Sequence, residues 1–235
     1  MKVAVILPAA GLGTRMAKSQ PDSGTQSRKQ FLQLEGVPIL LHTIRKFARC
    51  GAVSEIIVAL RGDDIAWVQD LLDQEKLAKP VRLVVGGESR QQSVENALAH
   101  LDEDTALVAV HDAVRPFVEL DAVENVIEEA AACGAAILGI VPVDTVKRVH
   151  LHRVETTIPR ERLVMAQTPQ VFKLPILREA FAKAAADGFT GTDEASLIET
   201  ISQGRAGVMP AWEGRLDPAT IKAMAVYVHS LGGGK

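Results

Sequence analysis

The residues with the clearest chemical potential come in short strings, and the first is Pro8-Ala9-Ala10-Gly11-Leu12-Gly13-Thr14-Arg15-Met16. It follows the apolar run Val3–Leu7 directly. Glycines such as Gly11 and Gly13 let a backbone approach a ligand, and consecutive N–H groups cradle phosphates. Two commoner phosphate motifs do not fit. A dinucleotide fingerprint needs glycine where Met16 stands, and a P-loop counted from Gly11 needs Gly-Lys where Met16 and Ala17 stand. Arg15 instead sets a permanent cation beside the turn. Alone, a GxG of this kind is more often a plain strand-to-loop turn. The next string, Lys29-Gln30-Phe31, offers a second cation. Paired with Arg15, Lys29 can clamp a triphosphate from the other side. Nucleotidyl transfer needs mainly positioning and charge neutralisation, which two cations and a metal ion supply.

Three further groups suit a nucleotide and a phosphorylated partner. Gly86-Gly87, followed by Arg90 and Ser93, gives space, polar backbone and a hydroxyl for a base pocket; a capped tight turn is the bland reading. In His111-Asp112-Ala113-Val114-Arg115-Pro116, Asp112 is placed to hold Mg²⁺ or a substrate hydroxyl and Arg115 to meet a phosphate; an Asp–Arg ion pair in a loop is about as probable. His111 reads equally as a structural histidine. Thr145, Arg160, Thr168 and Thr192 bring hydroxyl and guanidinium groups suited to a polyol phosphate. Thr192 also reads as a helix N-cap.

These strings need elements to position them. Val3–Leu7, Glu55–Leu60, Arg82–Val85, Ala106–Val110 and Ala135–Val141 are short continuous apolar runs, the pattern of strands buried on both faces of a parallel sheet. Helical patterns lie between them: a helix after Pro38 with Leu40, Ile44 and Phe47 on one face, then Asp63–Glu75, Gln91–Leu101 and Leu120–Cys133. The alternation predicts a Rossmann-like, doubly wound, mostly parallel α/β fold over residues 1–235, taken as one domain. The strings above then fall after strands, where open α/β sheets bind ligands. From residue 143 to about 160 the character changes to partly alternating Thr, Val, Arg and His, which predicts a protruding β-arm. Further helices are expected at Pro175–Ala186 and Thr192–Gln203, a last strand at Gly207–Ala211 and a final helix at Pro218–Leu231. Lys18–Ser27 reads as a polar loop.

Composition narrows the classes. Hydrophobic residues make up 47% and charged residues 23%, with net charge −3, so a nucleic-acid binder is disfavoured for want of a basic excess. No apolar run is long enough for a membrane span. Lys2 and the run after it resemble a signal-peptide start, but Pro8 and Arg15 interrupt it, so a buried first strand and a cytoplasmic protein are expected. Cys50 and Cys133 form no CxxC pair and read as reduced thiols. His150 and His152 share a strand face at that spacing, yet lack a third ligand for zinc.

Taken together and in this order, the strings resemble the 2-C-methyl-D-erythritol 4-phosphate cytidylyltransferase family of the non-mevalonate isoprenoid pathway. The resemblance runs from Val3 to about Ser196 and rests on PAAGLGTRM, KQF, GGESRQQSV, HDAVRP, DTVKR, TPQVF and TDEAS. It implies a homodimer built through the β-arm, with CTP and a small polyol phosphate as substrates and Mg²⁺ or another divalent cation as cofactor. By motif position it implies that Arg15 and Lys29 stabilise charge on the phosphates. Ala9, Ala10, Gly86 and Ser93 would surround cytosine. Asp112, Arg115, Thr145, Thr168 and Thr192 would line the polyol-phosphate site, with Arg160 positioning that phosphate. Two departures stand out. Arg28 precedes Lys29 after a longer loop where the family usually has proline, and the string Trp212–Pro218 lacks the family's lysine, leaving Arg215 as the nearest cation. Ribitol 5-phosphate cytidylyltransferase shares most motifs. An NAD-dependent dehydrogenase is disfavoured by the missing third glycine and by the lack of an obvious ribose-binding acid after the second strand. A nucleotide-binding homologue that has lost catalysis rests only on the altered C-terminal string and shifted lysine.

Overall fold

The first apolar run becomes β1 (Lys2–Pro8), and its five central residues are buried. It pairs in parallel with β4 (Glu55–Leu60), buried along its whole length, and with β6 (Thr105–Val110). β5 (Val81–Val85) extends the sheet in parallel beyond β4. Between β1 and β4 lie a one-turn 3₁₀ helix, Lys29–Phe31, and a small hairpin of β2 (Gln33–Leu34) and β3 (Val37–Pro38), whose turn puts Glu35 and Gly36 at positive φ. A computed structural model describes residues 1–11, 28–203 and 224–228. Gly13, Arg15, Arg215, the loop Lys18–Ser27 and the strand expected at Gly207–Ala211 lie outside the described residues.

Alternate residues of the central strands feed two core layers, as a strand's period of two requires. Val3, Val5 and Leu7 face one side, packed with Ile56, Val58 and Leu60 against α1 (Ile39–Arg49), α2 (Gly62–Asp73) and α4 (Leu120–Cys133). Ala4 and Ile6 face the other, with Ile57 and Ala59, against α3 (Arg90–Leu98), α5 (Leu174–Ala186) and α6 (Glu194–Gln203). In α1, Leu40, Ile44 and Phe47 share the buried face, as expected from their spacing. α4 stops at Gly134, whose φ of 102° only glycine adopts readily and whose N–H donates to Ala130 O at 2.8 Å. The doubly wound α/β expectation therefore holds.

Two strands depart from the sequence reading. With β7 (Ala135–Ile140), β10 (Met165–Lys173) and β11 (Met224–Val228), the sheet order is β11-β7-β10-β6-β1-β4-β5. β7 does not lie beside β6; β10 runs antiparallel between them. Pro169 argues against a central strand, since it cannot donate to a ladder. The ladder accommodates it: pairing with β7 skips from Ala166 to Gln170 across the proline. The second departure is Met224–Val228, expected within a helix. It is β11, parallel to β7 at the sheet edge. A five-residue apolar run does not distinguish strand from helix, and here the open edge of β7 decides.

The arm is a hairpin of β8 (Val146–His150) and β9 (Arg153–Ile158), joined by Leu151 and His152 at φ 46° and 63°. His152 is thus a turn residue, and the shared strand face expected for His150 and His152 does not form. Val143, Val149, Leu151 and Val154 are all more than half exposed.

Candidate active site

Chains leaving the carboxyl ends of β1, β4, β5 and β6 surround a cleft of about 970 Å³. β1 delivers Pro8, Ala9, Ala10 and Gly11, and Ala9 N–H is fixed to Ala59 O at 2.7 Å. Gln30 joins the 3₁₀ turn to this loop. Its Nε2 donates to Ala9 O at 2.7 Å and to Gly11 O at 3.2 Å. Lys29, one residue earlier, lines the cleft.

The turn after β5 explains both glycines. A Cβ on Gly86 would sit 2.6 Å from Ala10 Cβ and 3.0 Å from Ser93 Oγ, so Gly86 packs beneath the β1 loop and does not itself line the cleft. Gly87, Glu88 and Ser89 supply the lining, and a Cβ on Gly87 would collide with Gln92. Ser93, almost fully buried, accepts from Gly87 N–H at 3.0 Å and donates to Ser89 O at 2.8 Å. Its hydroxyl thus shapes the turn whose backbone faces the cleft. Ser89 caps α3 by accepting from Gln92 N–H at 3.0 Å.

Across the cleft, Asp112 follows β6 by two residues and has both carboxylate oxygens engaged. Oδ1 lies 3.3 Å from Arg90 Nε, and Oδ2 lies 2.9 Å from Arg115 Nε. The Asp112–Arg115 pair anticipated as the bland alternative therefore forms inside the cleft. Arg115 also donates to Gln167 Oε1, and Asp112 N–H donates to Thr168 Oγ1 at 3.3 Å. Arg90 reaches further, to Glu194 Oε1 at 2.6 Å. Glu194 is 1% exposed, its Oε2 has no partner, and burial pushes its carboxyl up despite Arg90. Burial disfavours charge on Arg90 as well, but Glu194 and Asp112 outweigh it and hold the guanidinium charged. Sequence reasoning missed the roles of Arg90 and Glu194; GGESR and TDEAS contain them, but nothing local says that they meet.

His111 is structural in its contacts. It is fully buried, its Nε2 donates to Arg115 O at 3.0 Å, and its ring meets Phe47 edge-on at 4.8 Å. Burial lowers its pKa to about 4, so it is neutral at pH 7. Thr192 lines the cleft, but the cap of α6 is Asp193: its Oδ1 accepts from Ser196 N–H at 3.0 Å, and its Oδ2 accepts from Gln170 Nε2 at 2.6 Å. Thr145 and Arg160 are exposed and outside the cleft of their own chain; Arg160 donates to Val143 O. Arg61, just past β4, is a lining cation that the sequence reading passed over. Lys29 and Arg61 are the lining cations without an ion pair to any described residue.

No three His, Cys, Asp or Glu side chains gather as a metal cage among the described residues. Glu88, Asp112 and Asp193 are the carboxylates that line the cleft, and Asp112 among them suits Mg²⁺ held by one carboxylate with substrate phosphates completing the shell. No helix of the described residues is long and apolar enough to cross a membrane.

A mostly parallel α/β sheet with a cationic, glycine-lined cleft beyond its strand ends defines a protein that holds phosphorylated ligands. Comparison with known proteins narrows the class. Residues 3–215 match the model of the 2-C-methyl-D-erythritol 4-phosphate cytidylyltransferase family. A protein of that name from Solibacter usitatus is 57% identical over 206 residues, covering 86% of this chain and 84% of its own. One from Acidobacterium capsulatum is 52% identical over 204 residues, covering 85% and 84%. The crystal structure of 4-diphosphocytidyl-2C-methyl-D-erythritol synthase from Anaerococcus prevotii superposes with a TM-score of 0.76 at 25% identity, covering 97% of this chain and 86% of that one. The Thermus thermophilus cytidylyltransferase gives 0.68 at 29% identity, covering 98% and 90%. The chain belongs to the 2-C-methyl-D-erythritol 4-phosphate cytidylyltransferase family.

Proposed function

We propose that this chain transfers CMP from CTP to 2-C-methyl-D-erythritol 4-phosphate, forming 4-diphosphocytidyl-2-C-methyl-D-erythritol and releasing pyrophosphate. The observation that carries the reading is the division of the cleft. A backbone-rich wall of Ala9, Ala10, Gly11 and Gly87 with the cation Lys29 stands opposite a polar wall of Asp112, Arg115, Thr168 and Thr192. One suits a nucleoside triphosphate and the other a polyol phosphate, and the volume accommodates both.

In the reaction an oxygen of the acceptor phosphate attacks the α-phosphorus of CTP. The α-phosphorus bond to the bridging oxygen breaks, and pyrophosphate departs with the electron pair. Lys29, with Arg15, offsets charge on the phosphates as it grows, which is where preorganised cations act most strongly. Asp112 and Thr192 orient acceptor hydroxyls, and Arg115 meets its phosphate in the paired geometry suited to guanidinium. Asp112 would hold a Mg²⁺ ion, which would supply further neutralisation of the phosphate charge. The exposed valines of the arm support a homodimer in which the arm carries Thr145 and Arg160 to the neighbouring cleft.

A pyrophosphate-release assay tests this. CTP with methylerythritol phosphate is expected to turn over well, and ATP or GTP poorly, because the polar backbone of the turn shaped by Ser93 suits the smaller cytosine edge. Preference for ribitol 5-phosphate, or equal use of purine nucleotides, would overturn the reading.

A further inference from the structure

Lys29 is the cation of its turn that lines the cleft, and the side chains of its neighbours are each tied to other parts of the fold. Phe31 is buried and meets Trp67 of α2 edge-on, with ring centroids 4.9 Å apart at 82°. Gln30 holds the β1 loop through two carbonyls. Arg28 turns away from the cleft. Both terminal nitrogens of its guanidinium pair with the two oxygens of Asp64, one of them at 2.5 Å, and its Cζ lies 5.2 Å from the centre of the Phe31 ring. Asp64 is fully buried in the first turn of α2, and the Arg28 side chain is only 13% exposed. A bidentate pair of this kind fixes direction as well as distance. The Arg28 carbonyl then starts the 3₁₀ turn by accepting from Phe31 N–H at 2.9 Å.

We infer that Arg28 and Asp64 are positioning residues for the reaction, a buried ion pair that fixes the turn so that Lys29 faces the phosphates. The inference rests on the proposed role of Lys29. It also settles which of the two adjacent cations is available: Arg28 is committed to α2, and Lys29 is not. A turn released from α2 keeps its lysine but spreads it over many directions. That costs transition-state stabilisation more than ground-state binding of CTP.

The test is a kinetic cycle on the full-length enzyme. Asp64→Asn and Arg28→Gln should each lower kcat by about tenfold or more while changing KM for CTP less than about threefold. Arg28→Lys keeps the charge but loses the fork and is the variant least able to disturb folding; it should fall between. Far-UV circular dichroism and Tm confirm that each assay is run on folded protein. The deciding arm is the Lys29→Ala background. There Asp64→Asn should produce no further loss, because no lysine remains to be positioned. A further tenfold loss in that background would overturn the inference, as would unchanged kcat in both Asp64→Asn and Arg28→Lys. A nearly active Lys29→Ala would instead overturn the role of Lys29 and the inference with it.

Discussion

The cleft wall and the arm are built on opposite principles. The wall rests mainly on β1 and β4, which are almost wholly buried, and each of its loops is fastened to a neighbour: Ala9 to Ala59, Gln30 to Ala9 and Gly11, Ser93 to Gly87 and Ser89. The arm has two strands, four largely exposed apolar side chains and a turn that puts Leu151 and His152 at positive φ. An isolated two-stranded ribbon is marginal. A single chain thus contains a preorganised nucleotide wall but leaves Thr145 and Arg160 away from it. On the proposed mechanism the rigid wall is where charge develops, and the proposed homodimer would give the arm a second surface to grip.

Removing Lys29 tests the wall most severely. Lys29→Ala should lower kcat by about two orders of magnitude or more, with a smaller loss in CTP binding by calorimetry. Arg15→Ala should behave alike. Loss of CTP affinity with kcat preserved would make Lys29 an anchor for bound CTP and remove the contrast drawn here.

Polar substitution in the arm comes next. Val149→Asp with Val154→Asp should leave the fold intact but shift the protein to monomer in sedimentation velocity, with activity down by about tenfold or more. Mixing Arg160→Ala chains with Lys29→Ala chains should recover activity if each arm serves its neighbour's cleft. An unrecovered mixture with confirmed subunit exchange would place Arg160 in its own chain's site. A wild-type protein that is monomeric at micromolar concentration would end the comparison.

The smallest effect concerns the foundation of the wall. His111 has its pKa lowered to about 4 by burial, against about 6.5 when unfolded. The unfolded chain therefore binds the extra proton between those values. The contribution to stability is complete above about pH 6.5 and is lost as pH falls toward 4, amounting to about 3 kcal/mol at most. Urea unfolding at pH 7 and pH 5 should show this slope in wild type and a weaker one in His111→Gln. Glu194 is raised by burial and titrates with the opposite sign, so the difference between the two proteins isolates His111.

The central strands were legible because burial leaves a short unbroken apolar run, and all five expected strands begin within a residue of their observed start while the first helix shows its 3.6-residue stripe. Gly11, Gly87 and Asp112 were legible because each follows a strand end within three residues, whereas Lys29 was legible only through the string that contains it. β10 was hidden by Pro169, and β11 by a run too short to carry a period. The N-cap of α6 fell one residue later than Thr192, since both threonine and aspartate can cap.

What the sequence by itself determined is local: which segments bury themselves, where turns need glycine, and which charges follow strands. The tertiary structure alone decided the partners of those charges. Arg90 meets Glu194, 104 residues away, because β10 inserts between β6 and β7 and brings α6 beside α3. Arg28 is spoken for because α2 presents a buried carboxylate to it, and nothing in the order Arg28-Lys29 distinguishes one cation from the other. An ion pair depends on distance and burial, and both are set by how strand ends and helix starts converge in space.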